Sequence, residues 1–388
     1  MPGWHEATKE LQDAGRVQML GVIQEQNPDR CRLFMQWKQM DWPILVDTFD
    51  QLEVSVVPLT YAIDEHGVVR QAGLRLRDAE TLEESFLSKS WPAPTAVAAS
   101  PAEAPWQKIA RQALAGEPGA ATATVDALAE LVQERPEDGW AHFRLAAAHR
   151  LRYDSPERQA GDFQRAVDHW QRALEIDPNN YIWRRRIQQY GPRLSKPYPF
   201  YDWIETAREQ VASRGEEPAP LVVEPTGSEI AAPSSGEGAG ANEPVRNPDP
   251  NARVLQDGVG TSARLVEIET TVVPSAVGPG EVSRAHLVFR PNERLLAHWN
   301  NESEPLRLWI DAPSDWSIDS PQIVGRNAET AVSSETRRLE VELRAPADVE
   351  PATFDIPAYA LYYVCEDENG TCLYRRQDVR ITVEARAP

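Results

Sequence analysis

Residues 215–261 set the limits on what this chain can fold into. The stretch EEPAPLVVEPTGSEIAAPSSGEGAGANEPVRNPDPN is rich in Pro, Gly, Ser, Ala and Glu and almost empty of aromatics. It has too little apolar area to offset the entropy of ordering it, so it is predicted to be a disordered linker. The 388-residue chain must then fold as separate bodies on either side, each long enough to bury a core.

Two regimes precede the linker. Residues 1–90 alternate helical and strand patterns. An amphipathic helix is predicted over residues 4–14 and another over residues 28–40. RVQMLGVI (16–23) is a near-continuous apolar run, as a buried parallel strand requires. WPILVD (42–47), LTYAID (59–64) and VVRQAGLR (68–75) read as strands, with His66-Gly67 as a turn, and a helix is predicted over 79–87. This is an α/β pattern. Residues 106–214 form a helical region, wholly helical in pattern to about residue 190 and closed by a further helix, YDWIETAREQVASRG. GWAHFRLAAAH has apolar residues at helical spacing, FQRAVDHWQRALEIDPNN carries Ala166, Trp170, Ala173 and Pro178, and VDALAELVQERPEDG ends in a comparable proline, Pro136.

Beyond the linker, residues 262–388 return to period-2 alternation: ARLVEIETTVV, SRAHLVFR, PLRLWIDAP, RRLEVELRA, DIPAYALYYVC and CLYRRQDVRITVEA. Six or more short strands with Pro, Gly and Asn turns predict an antiparallel all-β sandwich.

Composition removes several functional classes. A formal charge of −20 argues against nucleic-acid binding, which needs a basic face. No apolar run approaches the ~20 residues that span a bilayer, and MPGWHEATKELQ has neither part of a secretory signal. Three cysteines are too few for a disulfide scaffold, and the seven histidines form neither HExxH nor a cysteine-histidine finger. No metal and no cofactor is expected.

MPGW (1–4), LGVIQEQ (20–26), PILVD (43–47) and VSVVPLTYAIDEHGVV (54–69) together resemble the thioredoxin-like redoxins of the TlpA and peroxiredoxin type. By that resemblance Pro58 is the family's cis-proline, presenting the Val57 backbone beside a redox dithiol. The family carries a Cys-x-x-Cys at the end of a first strand, just ahead of the position Met1-Pro2 occupies. No Cys-x-x-Cys occurs in this sequence, so the expectation is a truncated thioredoxin-like fold lacking that strand and dithiol. A peroxidase is disfavoured because no cysteine stands at the peroxidatic position. Cys31, near a helix start between Arg30 and Arg32, is a candidate low-pKa thiol. The helices of 106–214 resemble tetratricopeptide repeats. Pro136 and Pro178 lie 42 residues apart rather than at the ~34 of that repeat, which implies an insertion of about eight residues near Arg152–Gln159.

The other two cysteines sit in CEDENGTC, residues 365–372. A four-residue tip, Asp367–Gly370, between the strands ALYYV and LYRRQDVRITV places Cys365 opposite Cys372. Opposed Cβ atoms lie ~4.5–5.5 Å apart, close enough for a bridge. Such a bridge is either a local staple or an exchangeable pair. Residues 262–386 resemble the immunoglobulin-like N-terminal domain of the thiol:disulfide interchange protein DsbD, through HWNNESEPLRLWIDAPSDWSI (298–318) and the YYVCEDENGTCLY hairpin. In that family the hairpin pair takes electrons from a thioredoxin-like domain and passes them on.

The resemblances imply a multidomain thiol–disulfide exchange protein of a periplasmic or other extracytoplasmic compartment, with Cys365 and Cys372 as the relay. Its redox partner would be a thioredoxin-like protein or its own redoxin domain, and its helices could bind a protein partner. The competing expectation is a non-catalytic adaptor in which the Cys365–Cys372 bridge is structural.

Overall fold

The structure is a computed structural model that describes residues 1–95, 103–193, 201–221, 224–225, 255–256, 265–366 and 370–387. It contains helices and several β-sheets, and the chain divides into two compact units. The first gathers Met1–Arg158, Arg172–Ile187 and Pro199–Pro225; the second gathers Gln159–Gln171, Gln188–Tyr198 and Thr226–Pro388.

The first unit opens with α1 (Pro2–Asp13), whose proline occupies the first turn, where no backbone donor is needed. Then follow β1 (Gly21–Ile23), α2 (Asp29–Trp37), β2 (Ile44–Val46), β3 (Tyr61–Ile63) and β4 (Val69–Ala72). β1 and β2 pair in parallel, and β3 and β4 pair antiparallel as a separate two-stranded sheet. The expected strands are therefore trimmed to three or four residues. Instead of being buried on both faces, Val22, Leu45 and Ile63 stand 42%, 54% and 56% exposed, in two-stranded sheets where each strand has a paired neighbour on one side only. The helix expected over 79–87 is a 3-10 turn, Leu76–Thr81, followed by a π turn, Glu83–Leu87.

Residues 1–90 do not stand alone. α3 (Pro105–Leu114), α4 (Ala120–Glu134) and α5 (Gly139–Tyr153) share a core in which Phe49 packs on Trp106 beside Ala110, Val125, Leu128 and Leu145. Asp138 caps α5 by accepting from the Trp140 and Ala141 amides, and Glu157 accepts from Gly119 and Thr122 at the start of α4. After α6 (Asp162–Ile176), α7 (Tyr181–Gln188) carries Arg186 into the loops that leave β1 and β2. The buried aromatic and the buried cation join the α/β part to the helices, which is why the expected boundary near residue 90 does not separate two bodies.

α8 (Trp203–Ser213) packs on α2 through Leu33, Ile204, Ala207 and stacked Trp37 and Trp203. The segment expected to begin the linker takes part: the Ala219 amide donates to Gln36, and Ala219 and Leu221 lie against this cluster. Residues 216–221, where composition predicted disorder, are thus held by these apolar contacts together with hydrogen bonds from Gln36 to the Glu217 carbonyl and from the Ala219 amide to Gln36. Most of the remaining linker lies outside the described residues, apart from residues 224–225 and the short strand β5 (Leu255–Gln256).

The second unit holds two sheets around one core. One is β11 (Ser317–Ile318), β14 (Arg337–Arg344), β8 (Val282–Pro291) and β6 (Val266–Val273), in that order. The other follows β12 (Gln322–Val324), β10 (Arg307–Ile310), β15 (Ala352–Cys365), β16 (Cys372–Ala385) and β5, with β7 (Ala276–Val277), β9 (His298–Asn300) and β13 (Val332–Ser333) attached. Leu287, Phe289, Val341 and Leu343 from one sheet meet Leu308, Ile356, Ala360 and Ile381 from the other. Full burial of side chains of this size stabilises by ~1.5–3 kcal/mol each. The edge of β6 is capped by Gln164 of α6, whose side-chain amide accepts from the Val272 N–H and donates to its carbonyl. Phe163 and Trp170 pack on Tyr190 in the same unit.

Candidate functional site

The site is built at one end of the long hairpin. β15 and β16 run in register from Ala352↔Ala385 to Cys365↔Cys372, which close the ladder as a disulfide with Cα atoms 3.9 Å apart. Along β15 the even-numbered residues Ile356, Ala358, Ala360, Tyr362 and Val364 enter the core. Alternation therefore puts Cys365 on the opposite, outer face, with Tyr363, Leu361 and Tyr359. Residues 367–369 of the tip lie outside the described residues.

The two cysteines differ in access. Cys365 is buried, 1% exposed, although it is on the outer face, whereas Cys372 is exposed. The cause is position in the sheet. Cys365 is flanked on both sides, by Cys372 on β16 and by His298 on β9, and Cys372 ends its strand. Two residues along the ladder, Tyr363 and Tyr374 pack ring against ring at 4.8 Å, and burial, ahead of the neighbouring Tyr363, pushes the Tyr374 hydroxyl above its ordinary value.

The arginines that follow Cys372 are engaged elsewhere. Arg376 lies 4.1 Å over the Tyr359 ring and donates to Asp378 at 3.0 Å. Arg375 is opposite Tyr362, so its side chain starts from the core-facing side.

Cys31 is a correction. The Arg30 guanidinium stacks on Tyr201 at 4.5 Å, and burial, followed by the Glu25 carboxylate, pushes the half-buried Cys31 thiol up rather than down. Flanking charge is a weak guide when the chain folds that charge away. The Val57–Pro58 peptide is cis, and Val57 and Pro58 are exposed ahead of β3. Cys31, Val57 and Pro58 belong to the first unit, and Cys365 and Cys372 to the second. Among the described residues no cluster of His, Cys, Asp or Glu could hold a metal ion, and no helix is long and apolar enough to cross a membrane. His298 escaped sequence reasoning, because its place beside Cys365 is created by a three-residue strand with no periodic signature.

No family model matches the chain, and no curated protein matches its sequence. Among solved structures, AvmM, which catalyses macrocyclization in alchivemycin A biosynthesis, is 12% identical over 31% of this chain and 88% of its own, with a TM-score of 0.21. A protein of unknown function from Porphyromonas gingivalis W83 is 16% identical over 32% of this chain and 48% of its own, TM-score 0.19. Spo0M, a sporulation control protein from Bacillus subtilis, is 12% identical over 32% of this chain and 51% of its own, TM-score 0.18. Likenesses this low bear on neither fold nor function.

Proposed function

We propose that this chain is a thiol–disulfide exchange protein of the redoxin/DsbD-like type, with Cys365 and Cys372 as its electron relay. In this reading residues 1–90 are a catalytically incomplete thioredoxin-like domain with no Cys-x-x-Cys among them, the helices of 106–214 are tetratricopeptide-like, and the two-sheet unit is immunoglobulin-like. The observation that carries the proposal is the unequal cystine: one exposed sulfur-bearing residue bonded to one buried residue at the end of a continuous ladder. An incoming thiolate reaches the bridge at Cys372. It attacks the Cys372 Sγ, the Sγ–Sγ bond breaks, and the electron pair leaves on Cys365, giving a mixed disulfide at Cys372. The freed Cys365 then attacks that mixed disulfide to regenerate the bridge, or a second thiol resolves it and leaves the pair reduced.

Energetics favour exchange over a staple. A cystine with a sequence separation of 7 restricts the unfolded chain by only about 2–3 kcal/mol, less than a few of the buried core side chains provide. The implied partner is a thioredoxin-like dithiol protein, and the implied compartment is extracytoplasmic, where a cystine persists.

The test is trapping. A Cys365→Ser variant leaves the accessible thiol without its resolving partner, so it should accumulate a stable mixed disulfide at Cys372 with an oxidised thioredoxin-like protein. A Cys372→Ser variant should trap far less. If neither variant forms an adduct and both merely melt earlier than the parent, the bridge is structural and the chain is a non-catalytic adaptor.

A further inference from the structure

We infer that His298 is the proton-handling neighbour of Cys365, holding the proton that the buried sulfur takes up when the bridge opens. The inference rests on the exchange reading of the cystine and assigns a role to a third residue. β9 pairs antiparallel with β15, and the register sets His298 directly against Cys365. Opposed residues share a face of the sheet with Cβ atoms ~4.5–5.5 Å apart. Cys365 is thus held between a sulfur on one side and an imidazole on the other.

The ring's orientation is fixed by its second nitrogen. His298 Nδ1 lies 3.1 Å from the Leu296 carbonyl oxygen. A carbonyl only accepts, so Nδ1 carries a proton and donates it. The exchangeable proton is therefore on Nε2. Leu296 is in the left-handed region, φ 49°, at the end of the 3-10 turn Glu293–Leu295, which aims its carbonyl at the ring two residues on.

A buried thiolate is costly, and Cys365 is the sulfur that must bear the charge. When a thiolate attacks Cys372, the Sγ–Sγ electron pair passes to Cys365 Sγ. A protonated His298 stabilises that charge or transfers the Nε2 proton to it. In the reverse direction neutral Nε2 takes the proton from the Cys365 thiol as it attacks the mixed disulfide and expels the partner's thiolate. Protons and electrons balance in both directions, and no outside oxidant is needed. Among the described residues, the elements beside His298 bring these groups: β13 pairs Val332 and Ser333 with Asn300 and Trp299, β15 carries Tyr363 on the face of Cys365, Glu293 and Arg294 precede the strand, and Glu366 follows Cys365.

The test compares the full-length chain with His298→Asn, whose side-chain amide keeps the hydrogen bond to Leu296 but does not titrate, and with His298→Ala. The rate of bridge reduction by dithiothreitol and the redox equilibrium with glutathione are measured from pH 5 to 9, with circular dichroism as the check on folding. His298→Asn should stay folded and shift the equilibrium about tenfold toward the disulfide near pH 6, a potential ~30 mV more reducing, with the pH dependence of the rate flattened. Identical profiles for parent and variant, while the parent still exchanges, overturn the role of His298 alone. A parent that does not exchange at any pH overturns the underlying reading instead. If His298→Ala misfolds, His298→Asn decides.

Discussion

Arg186 on α7 donates to the Gln26 side chain at 2.8 Å from a position 3% exposed to solvent, and the same guanidinium reaches the carbonyls of Gln24 at 3.0 Å and Thr48 at 3.3 Å. One cation thus satisfies the loops leaving both strands of the parallel pair. These carbonyls lie beyond the paired residues of β1 and β2, so the helix supplies the donors that buried backbone acceptors require.

Replacing Arg186 by Met should strand these acceptors in a dry site. A loss of about 2–4 kcal/mol is expected for a buried hydrogen-bonded charge, read by urea unfolding. The second unit should keep its own transition. A change under ~0.5 kcal/mol would mean the loops are held by other contacts.

Asp50 is fully buried with φ 49°, and burial pushes its carboxyl up to about 6, against the Val54 amide that donates to it. A raised carboxyl binds its proton more tightly folded than unfolded. Stability is therefore fullest below the unfolded value near 4 and falls as pH rises through about 6. Asp50→Asn should remove that slope and raise stability at pH 7.5 by about 1–2 kcal/mol, measured as melting temperature against pH. A parent whose stability does not fall between pH 4 and 6 would contradict this.

Glu340 shows the opposite sign. Burial alone would raise its carboxyl, but His286, bonded at 2.9 Å, and Arg284 hold it well below the usual carboxylate range. A depressed carboxyl stabilises the fold above the unfolded value near 4.3, and that contribution is lost as pH falls. The second unit should weaken in acid below about pH 4. Glu340→Gln should cost about 3 kcal/mol at pH 7 by leaving buried Arg284 only its longer, 3.9 Å contact to Glu342.

Cys31 should alkylate slowly. With its thiol half-buried and pushed up, iodoacetamide at pH 7.5 should modify it several-fold more slowly than a cysteine in the urea-unfolded chain. Reaction as fast as in urea would show the thiol free.

Sequence reading succeeded where local chemistry decides the outcome. The Cys365–Cys372 register follows from two alternating strands around a four-residue tip, and it is the register observed. α4, α5 and α6 follow from apolar spacing alone. The misreadings share a cause. The run 16–23 looked like a buried strand, yet only Gly21–Ile23 pairs, because burial depends on neighbours the run does not encode. Cys31 was judged by Arg30 and Arg32, and folding turned Arg30 to Tyr201. His298 meets Cys365 only through a long-range pairing, invisible to any short window.

The most direct measurement is of the bridge itself. The native protein is titrated with dithiothreitol, its free thiols are alkylated, Cys365 and Cys372 are followed by mass spectrometry, and circular dichroism tracks the fold. The pair should open and reclose reversibly with the β-sheet signal unchanged. A bridge that stays closed in the native protein, or opens only as the second unit unfolds, would contradict a role in electron transfer.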